Sequence, residues 1–275
     1  MPMPTHHDSA HTLFIEGSDA IAFTQAQFSG NAAKLDIGQW QFSAWLDAQG
    51  RVLALFHLAR LADERLLLLL RGGDADTMAT ALRRYVFRSK VKLDTSASTR
   101  LSNGPALPLY EVAMDEHVVM LGCATHSLRL ATHASFEATP DDRAWRLAQL
   151  HAGWPWLPDP LLGKLLPPAL SLERLQAVTF DKGCYPGQEI VARLHYRGGH
   201  KWHLHRVVLS QPLIAGSTLY ANGHEVAHVL EALSASSTID ALAVIRDDVL
   251  TDAAGDFFDV DGQLVHVVSQ QGWPG

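Results

Sequence analysis

Two dipeptides near the C-terminal end, Asn222-Gly223 and Asp261-Gly262, place the tightest limits on how this chain can fold. Type I′ hairpin turns favour Asn-Gly and Asp-Gly, because both central residues of such a turn need a positive φ. Six runs around these dipeptides have strand-like composition: residues 202–209, 218–221, 225–230, 239–245, 257–260 and 263–268. Six short strands joined by tight turns are enough for a small closed β-barrel.

The first hundred residues predict a compact α+β unit. Residues 20–28 follow Gly17-Ser18-Asp19 and have the composition of a short capped helix. Three apolar runs predict strands, and a Gly-containing loop joins the first two in a hairpin. These runs are residues 40–46, 52–58 and 65–70, with the loop at 47–50. Residues 74–85 have helical periodicity, with one face formed by Met78, Ala81, Leu82 and Tyr85.

A second unit is predicted beyond residues 96–108, which are rich in Ser, Thr, Asn, Gly and Pro. Residues 110–114 and 117–121 predict paired strands, and Thr139-Pro140-Asp141-Asp142 is a start signal for a helix that contains Trp145 and ends at Gly153. Residues 154–168 hold five prolines and predict an irregular segment. The predicted fold class is α+β, with three domains: two antiparallel-sheet α+β domains at residues 1–100 and 101–199, and the β-barrel at 200–275.

Composition and charge indicate a soluble, cytoplasmic protein without a membrane or nucleic-acid partner. The first ten residues are polar, which predicts no signal peptide, and the longest strongly apolar run, residues 66–70, is too short to cross a bilayer. Two cysteines, Cys123 and Cys184, are too few for a disulfide framework, so both are predicted to be free thiols. The formal net charge of −7 does not favour polynucleotides. The histidines lack the tight pair spacing of zinc sites, so no metal is predicted.

The densest group of chemically able side chains is the run KGCYPGQE, residues 182–189. A helical pattern follows it, which places Cys184 just before a helix N-terminus and beside Lys182 in sequence. The helix dipole and the ammonium group both favour the thiolate form of a cysteine. Glu189, Arg193 and Arg197 are spaced four residues apart and would share one helix face.

The residue pattern alone leaves two interpretations of this run open. Cys184 is either a reactive thiol or a small buried hydrophobe. Glu189 and Arg193 are either part of a binding site or an ordinary surface pair that contributes little to stability. Cys123 has apolar neighbours and is predicted to be structural.

The run KGCYPGQE, followed by Val191-Ala192-Arg193 and Tyr196-Arg197-Gly198, is similar to the K-G-C-Y-x-G-Q-E signature of the YgfZ family, relatives of the glycine-cleavage T-protein. Three weaker matches occur in the same order along the chain. They are DAQGR at 47–51, YVFRSKV at 85–91, and Trp145 with Gly153 and Pro155. The resemblance therefore extends from about Gly17 to the predicted barrel.

The resemblance implies three domains around a central channel that binds tetrahydrofolate or a related folate. It also implies an accessory protein that supports the assembly or repair of iron–sulfur enzymes, including tRNA-modifying ones such as tRNA methylthiotransferases. Cys184 is then the key thiol, and Trp145 matches the pterin-contacting tryptophan, with a core tryptophan as the alternative. The expected folate-binding residues are Trp145, Lys182, Tyr185, Gln188, Glu189, Arg193 and Arg197. The two arginines, with Lys201, suit folate carboxylates by their chemistry.

Several positions depart from the family pattern. Ala54 and Leu55 stand where T-proteins carry paired acids, so a folate-dependent aminomethyl transferase acting on a small amine is the alternative function rather than the leading one. A tRNA-binding or scaffold module is a third hypothesis, which the net charge disfavours. Asn31, His151 and Pro168 are further departures that bear on folate affinity. Whether Cys184 attacks a carbon, contacts a cluster or stabilises its loop stays open.

Overall fold

Two antiparallel sheets and a closed barrel build the protein, and a computed structural model describes its residues 10–96, 99–132, 143–235 and 237–274. The predicted helix start at 139–142 lies outside these residues. The first sheet has the strand order β2-β3-β4-β1-β5, and helices α1 and α2 cover one of its faces. Its elements are β1 Thr12–Glu16, α1 Ala20–Gln27, β2 Gln39–Leu46, β3 Val52–Ala62, β4 Arg65–Leu70, α2 Ala75–Leu82 and β5 Lys92–Ser96.

Both faces of the first sheet are buried, because alternate residues of each strand point to opposite sides. On β3, Phe56 and Leu58 pack against the two helices, while Leu55 and His57 face the centre of the molecule. Apolar side chains are therefore needed at almost every position of β3 and β4. This is why both strands appear in the sequence as continuous apolar runs.

The second sheet continues from an edge of the first. Its order is β6-β9-β8-β7, with α3 following it in the chain. The amide of Trp40 donates to the carbonyl of Tyr110 at 2.8 Å, and the amide of Val112 donates to that of Gly38 at 2.7 Å, which joins the two sheets. The elements are β6 Thr99–Gly104, β7 Val112–Met114, β8 Val118–Gly122, β9 Ser127–Thr132 and α3 Arg143–His151.

A long irregular segment leads from α3 to α4, Gln188–Arg197, as the proline content predicts. Its regular parts are two 3₁₀ turns, Asp159–Leu161 and Pro167–Leu170. Residues 178–180, Val-Thr-Phe, have a composition that predicts a strand end, but they do not form a strand. These residues bond to a loop of the first unit, where the amide of Thr179 donates to the carbonyl of Ser29 at 3.1 Å, instead of joining a ladder.

The C-terminal part closes into a six-stranded antiparallel barrel in the order β10-β13-β12-β11-β14-β15. The prediction of a small closed barrel, and with it the α+β fold class, is confirmed. The strands are β10 Trp202–Leu209, β11 Thr218–Ala221, β12 His224–Ala235, β13 Thr238–Arg246, β14 Ala254–Phe258 and β15 Leu264–Trp273. No helix in the described part of the chain is long and apolar enough to span a membrane.

One of the two predicted type I′ turns is present. Asn222 and Gly223 have φ values of 51° and 75°, which confirms that turn. The predicted hairpin at Asp261-Gly262 is also present, between β14 and β15, but its turn is not type I′, since only Gly262 of the two has a positive φ. Asp259 stabilises a different turn in this loop, because its carboxylate accepts hydrogen bonds from the amides of Asp261 and Gln263.

Candidate functional site

The loop formed by the KGCYPGQE run is fixed against the first unit by Lys182. The ammonium of Lys182 donates hydrogen bonds to the carbonyl oxygens of Phe28 and Gly30 at 2.5 and 2.8 Å. It also lies 5.0 Å from the ring centroid of Tyr185, a cation–π distance. Burial lowers the pKa of Lys182 to about 8. Next to it, Asp181 pairs with Lys34 at 2.7 Å. Lys182 therefore anchors the loop.

Gly187 brings the same loop against the hairpin loop at 47–51. Its φ is +78°, and a Cβ atom there would lie 2.5 Å from the carbonyl oxygen of Asp47 and 2.7 Å from the Cα of Gly50. Gly50 in turn leaves space for Ile190 and Val191 of α4. Two segments that resemble the family pattern are thus in direct contact, although Asp47 and Gly187 are 140 positions apart in the sequence.

Replacing Gly187 with alanine is expected to lower the free energy of unfolding by about 1–3 kcal/mol, because the new methyl group meets backbone atoms that cannot rotate away. Gly183→Ala is the matched control: it is in the same loop, its φ is not positive and it has no atoms within 4 Å of the added Cβ among the described residues. Urea unfolding of both variants measures the difference. Equal stability of the two variants would contradict the contact.

Cys184 is exposed on this anchored loop, four residues before the first residue of α4. Its neighbour Tyr185 is buried, with its hydroxyl donating to the carbonyl of Thr179 at 3.3 Å, and burial raises the pKa of Tyr185 to about 12. The alternative of a small buried hydrophobe therefore does not describe Cys184. The arrangement presents one thiol to solvent on a loop whose Lys182 and Tyr185 side chains point into the protein.

Helix α4 has an outward and an inward face, as the spacing predicts. Glu189, Arg193 and Arg197 are all exposed, and within the described residues no ion pair joins them. Val191 is buried in the central core together with Tyr185. The exposed charges are thus free to meet a ligand or partner at the surface.

A cleft of ≈ 180 Å³ lies on another side of α4, where Phe180 stacks on His195 with ring centroids 4.4 Å apart. His200 and His203 also line it. Across the described ranges, no three His, Cys, Asp or Glu side chains are grouped so that they could hold a metal ion.

A second group of functional side chains lies where the two sheets and the barrel meet, and Arg71 is its centre. Arg71 is fully buried at the end of β4, and its guanidinium makes four hydrogen bonds. The partners are Pro155 O at 3.0 Å, His57 Nε2 at 3.0 Å, Gln149 Oε1 at 2.7 Å and Trp154 O at 2.7 Å. Burial lowers the pKa of Arg71 to about 9. We call Arg71 and its polar neighbours the central polar cluster.

The second sheet contributes His126 and Cys123 to this cluster. Gln149 Nε2 lies 3.0 Å from His126 Nε2 and 4.0 Å from Cys123 Sγ. Burial raises the pKa of Cys123 to about 12, which keeps this thiol protonated. The prediction that Cys123 is structural fits this placement.

The barrel contributes Glu231, which is 7% exposed. Burial raises its pKa to about 7, although Arg146 and Arg71 act against that shift. Glu231 Oε2 and His57 Nδ1 are buried atoms without a hydrogen-bond partner among the described residues. Burial also holds the pKa of His57 well below its usual value, so its ring is neutral. The cluster therefore contains an unused acceptor and an unused ring nitrogen, both near Arg71.

Trp145 borders the same centre from α3 and is 3% exposed. Its ring lies 6.0 Å from the His126 ring and 5.6 Å from the Arg146 guanidinium. Trp145 and the buried side of α4 thus belong to one core, whereas Arg193 and Arg197 lie outside it.

Sequence reasoning missed the central polar cluster. The available signal was a polar side chain inside or beside an apolar strand, as for His57 within β3, Arg71 directly after β4 and Glu231 within β12. Each of these residues in isolation is compatible with a solvent-facing position. Only the packing of three sheets brings them together.

Comparison with known proteins places the chain among relatives of similar length. No family model matches it. An uncharacterized protein of Haemophilus influenzae is 27% identical over 248 residues, covering 86% of each chain. The tRNA-modifying protein YgfZ of Sodalis glossinidius is 24% identical over 299 residues, covering 92% of this chain and 90% of that protein. The tRNA-modifying protein YgfZ of Yersinia pseudotuberculosis is 26% identical to this chain over 280 residues, covering 87% of this chain and 83% of that protein.

The fold resembles that of a solved aminomethyltransferase. The glycine cleavage system aminomethyltransferase T from Bartonella henselae superposes with a TM-score of 0.70 at 17% identity, covering 97% of this chain and 86% of that one. At this identity the likeness concerns the fold alone. Together with the relatives, it confirms the resemblance predicted from the KGCYPGQE run.

Proposed function

We propose that this chain, a YgfZ-type protein with the fold of aminomethyltransferase T, binds a folate at its central polar cluster and supports iron–sulfur enzymes that modify tRNA. The observation that carries the proposal is the pair of unused buried atoms, Glu231 Oε2 and His57 Nδ1, beside Arg71. A buried polar atom without a partner costs free energy, so a ligand that satisfies it gains affinity.

The residues present fit a pterin. The edge of a pterin ring offers adjacent N–H donors, and an ionised carboxylate such as Glu231 accepts two of them. Trp145 supplies an aromatic ring at the same centre, and pterin stacking on it requires the Arg146 guanidinium to move from its position 5.6 Å above the ring. A bound tetrahydrofolate would supply the ring nitrogens that carry one-carbon units.

The folate tail would leave the centre towards the motif loop. Tyr185 and Val191 lie in the core that contains Trp145, and Arg193 and Arg197 are exposed on the same helix as Val191. We assign the two arginines to the carboxylates of the tail, because guanidinium groups bind carboxylates in bidentate fashion. Gln188 and Glu189, in the first turn of α4, would border the tail, while Lys182 holds the loop in place through the carbonyls of Phe28 and Gly30.

The proposal is tested by titrating tetrahydrofolate against wild type and Glu231→Gln, with Glu225→Gln as control. Glu225 is on the same strand, but its side chain is exposed. We expect Glu231→Gln to weaken binding on the order of tenfold to a hundredfold, since a charge-assisted hydrogen bond is worth about 1.5–3 kcal/mol. Unchanged affinity in Glu231→Gln would remove the carboxylate from the site.

The pH dependence of tetrahydrofolate affinity gives the same test a second readout. The pKa of Glu231 is about 7 in the free protein, and a pterin N–H donor needs the ionised form. Binding must therefore expel a proton below pH 7, so wild-type affinity should fall as the pH drops from 7 to 5. Glu231→Gln should lack this dependence. Calorimetric titrations at the two pH values measure it.

Aminomethyl transfer is the second candidate, favoured by the fold. Against it, Ala54 and Leu55 are 1% and 0% exposed and pack into apolar cores, so the paired carboxylates of T-proteins have no counterpart there. Formation of methylenetetrahydrofolate from an aminomethyl donor would favour this function over the accessory role.

A further inference from the structure

Residues 83–92, which we call the basic turn, concentrate positive charge on an otherwise acidic chain. The segment holds five of the chain's 22 Lys and Arg residues and no Asp or Glu, while the formal net charge of the whole chain is −7. The five are Arg83, Arg84, Arg88, Lys90 and Lys92. Charge separated in this way creates a local positive potential that the net charge conceals.

Two aromatic side chains stand among these cations. Tyr85 is 59% exposed and Phe87 is 89% exposed, and the Arg88 guanidinium lies 5.7 Å from the Phe87 ring centroid. This corrects the prediction that Tyr85 belongs to the buried face of helix α2, which ends at Leu82. A single exposed aromatic needs no explanation, but two that alternate with arginines form a surface suited to a ligand with flat rings and negative charge.

The backbone of the basic turn is fixed. Arg83–Tyr85 forms a 3₁₀ turn, and the Asp19 carboxylate accepts a hydrogen bond from the Lys90 amide at 2.7 Å. Val86 and Val91 pack against the core between the first sheet and its helices. The chain thus turns its valines inward and its cations and rings outward, and the fixed backbone holds the outward side chains on one surface.

Most of these cations have no acidic partner. Within the described part of the chain, only Lys92 makes an ion pair, with Asp94, and Arg83 bonds to the Thr80 hydroxyl at 3.4 Å. Arg84, Arg88 and Lys90 are exposed and pair with no carboxylate in the same residues. Three guanidinium or ammonium groups therefore face solvent beside two open aromatic faces.

We propose that the basic turn binds a single-stranded polynucleotide, with phosphates on Arg84 and Arg88 and a base stacked on Phe87. Proteins that bind unpaired strands combine cations along the backbone with aromatic side chains under the bases. A membrane-surface site would instead present a long helix with a continuous apolar face. An acidic protein partner would bind the cations, but its binding would give the exposed Phe87 ring no role. The inference is independent of folate binding.

The test uses the full chain and labelled oligonucleotides of about 16 nucleotides, one of RNA and one of DNA, followed by fluorescence anisotropy at several salt concentrations. Phe87→Ala is expected to weaken binding about tenfold without changing the salt dependence. Arg84→Gln combined with Arg88→Gln should lower the slope of log affinity against log salt by about 1.4, since each phosphate contact on a single strand contributes about 0.7. Preference for RNA over DNA identifies contacts to the 2′-hydroxyl.

Matched controls are taken from other surfaces of the protein. Tyr196 is 74% exposed, so Tyr196→Ala controls for loss of an exposed ring, and Arg51→Gln with Lys164→Gln controls for loss of two exposed cations. Both controls should bind the oligonucleotides as wild type does. The proposal is overturned if wild type binds neither strand, if the controls lose as much affinity as the basic-turn variants, or if wild type binds vesicles of anionic lipid or polyglutamate but no oligonucleotide.

Discussion

Replacing Arg71 with methionine is expected to lower the free energy of unfolding by about 3–5 kcal/mol, because it removes a side chain that serves four buried groups at once. Exchange of a buried charged pair for apolar residues is sometimes neutral, but only when both partners are replaced. Here two of the acceptors are the main-chain carbonyls of Trp154 and Pro155, which no substitution removes. Each buried acceptor left without a donor costs about 1–3 kcal/mol.

Arg65→Met is the matched control for this prediction. Arg65 and Arg71 flank the same run of leucines, but the Arg65 side chain is half exposed and pairs with Glu16 at the surface at 2.8 Å. Such a pair is worth about 1 kcal/mol or less. Urea unfolding followed by circular dichroism measures both variants. An equal, small loss in each would mean that Arg71 does not hold the irregular segment after α3 to the first sheet.

The parts of the fold that could be predicted from the sequence are those whose signals lie close together along the chain. The barrel strands and the first hairpin were predicted because their signals are local: strand composition on both sides of a short turn. Strand β1 was not, since its five residues pair with β4 and β5, at least 49 positions away. Nothing near Thr12 in the sequence signals that pairing.

The candidate site divides in the same way. The anchored loop with Cys184 is contiguous in sequence. Its dense motif predicted that the thiol precedes α4 and that Glu189, Arg193 and Arg197 share one face of that helix, but it left open whether the thiol is exposed. The central polar cluster is not contiguous, because Arg71 and Gln149 are 78 positions apart and Glu231 comes from the barrel. Such a cluster follows from packing, which a pattern of neighbouring residues does not encode.

Under the proposed function, replacing Cys184 with alanine should abolish support of iron–sulfur enzymes in cells. Stability should stay within about 0.5 kcal/mol of wild type, because the side chain is exposed and its loop is held by Lys182 and Gly187. The measurement is the activity of a tRNA-modifying iron–sulfur enzyme in a deletion strain that carries each variant. Cys184→Ser separates the thiol from its size, since serine keeps the shape but is a far weaker nucleophile and metal ligand.

Cys123 provides the control inside the same chain. It is buried, and its pKa of about 12 keeps it protonated, so Cys123→Ala should lose some stability but retain support of the client enzyme. Alkylation of the folded wild type should accordingly modify Cys184 and spare Cys123 until the protein unfolds. Full activity of Cys184→Ala would show that the thiol is not needed, and the proposed function would then rest on the proposed folate site alone. Loss of activity in both cysteine variants would instead point to a role for the central polar cluster beyond packing.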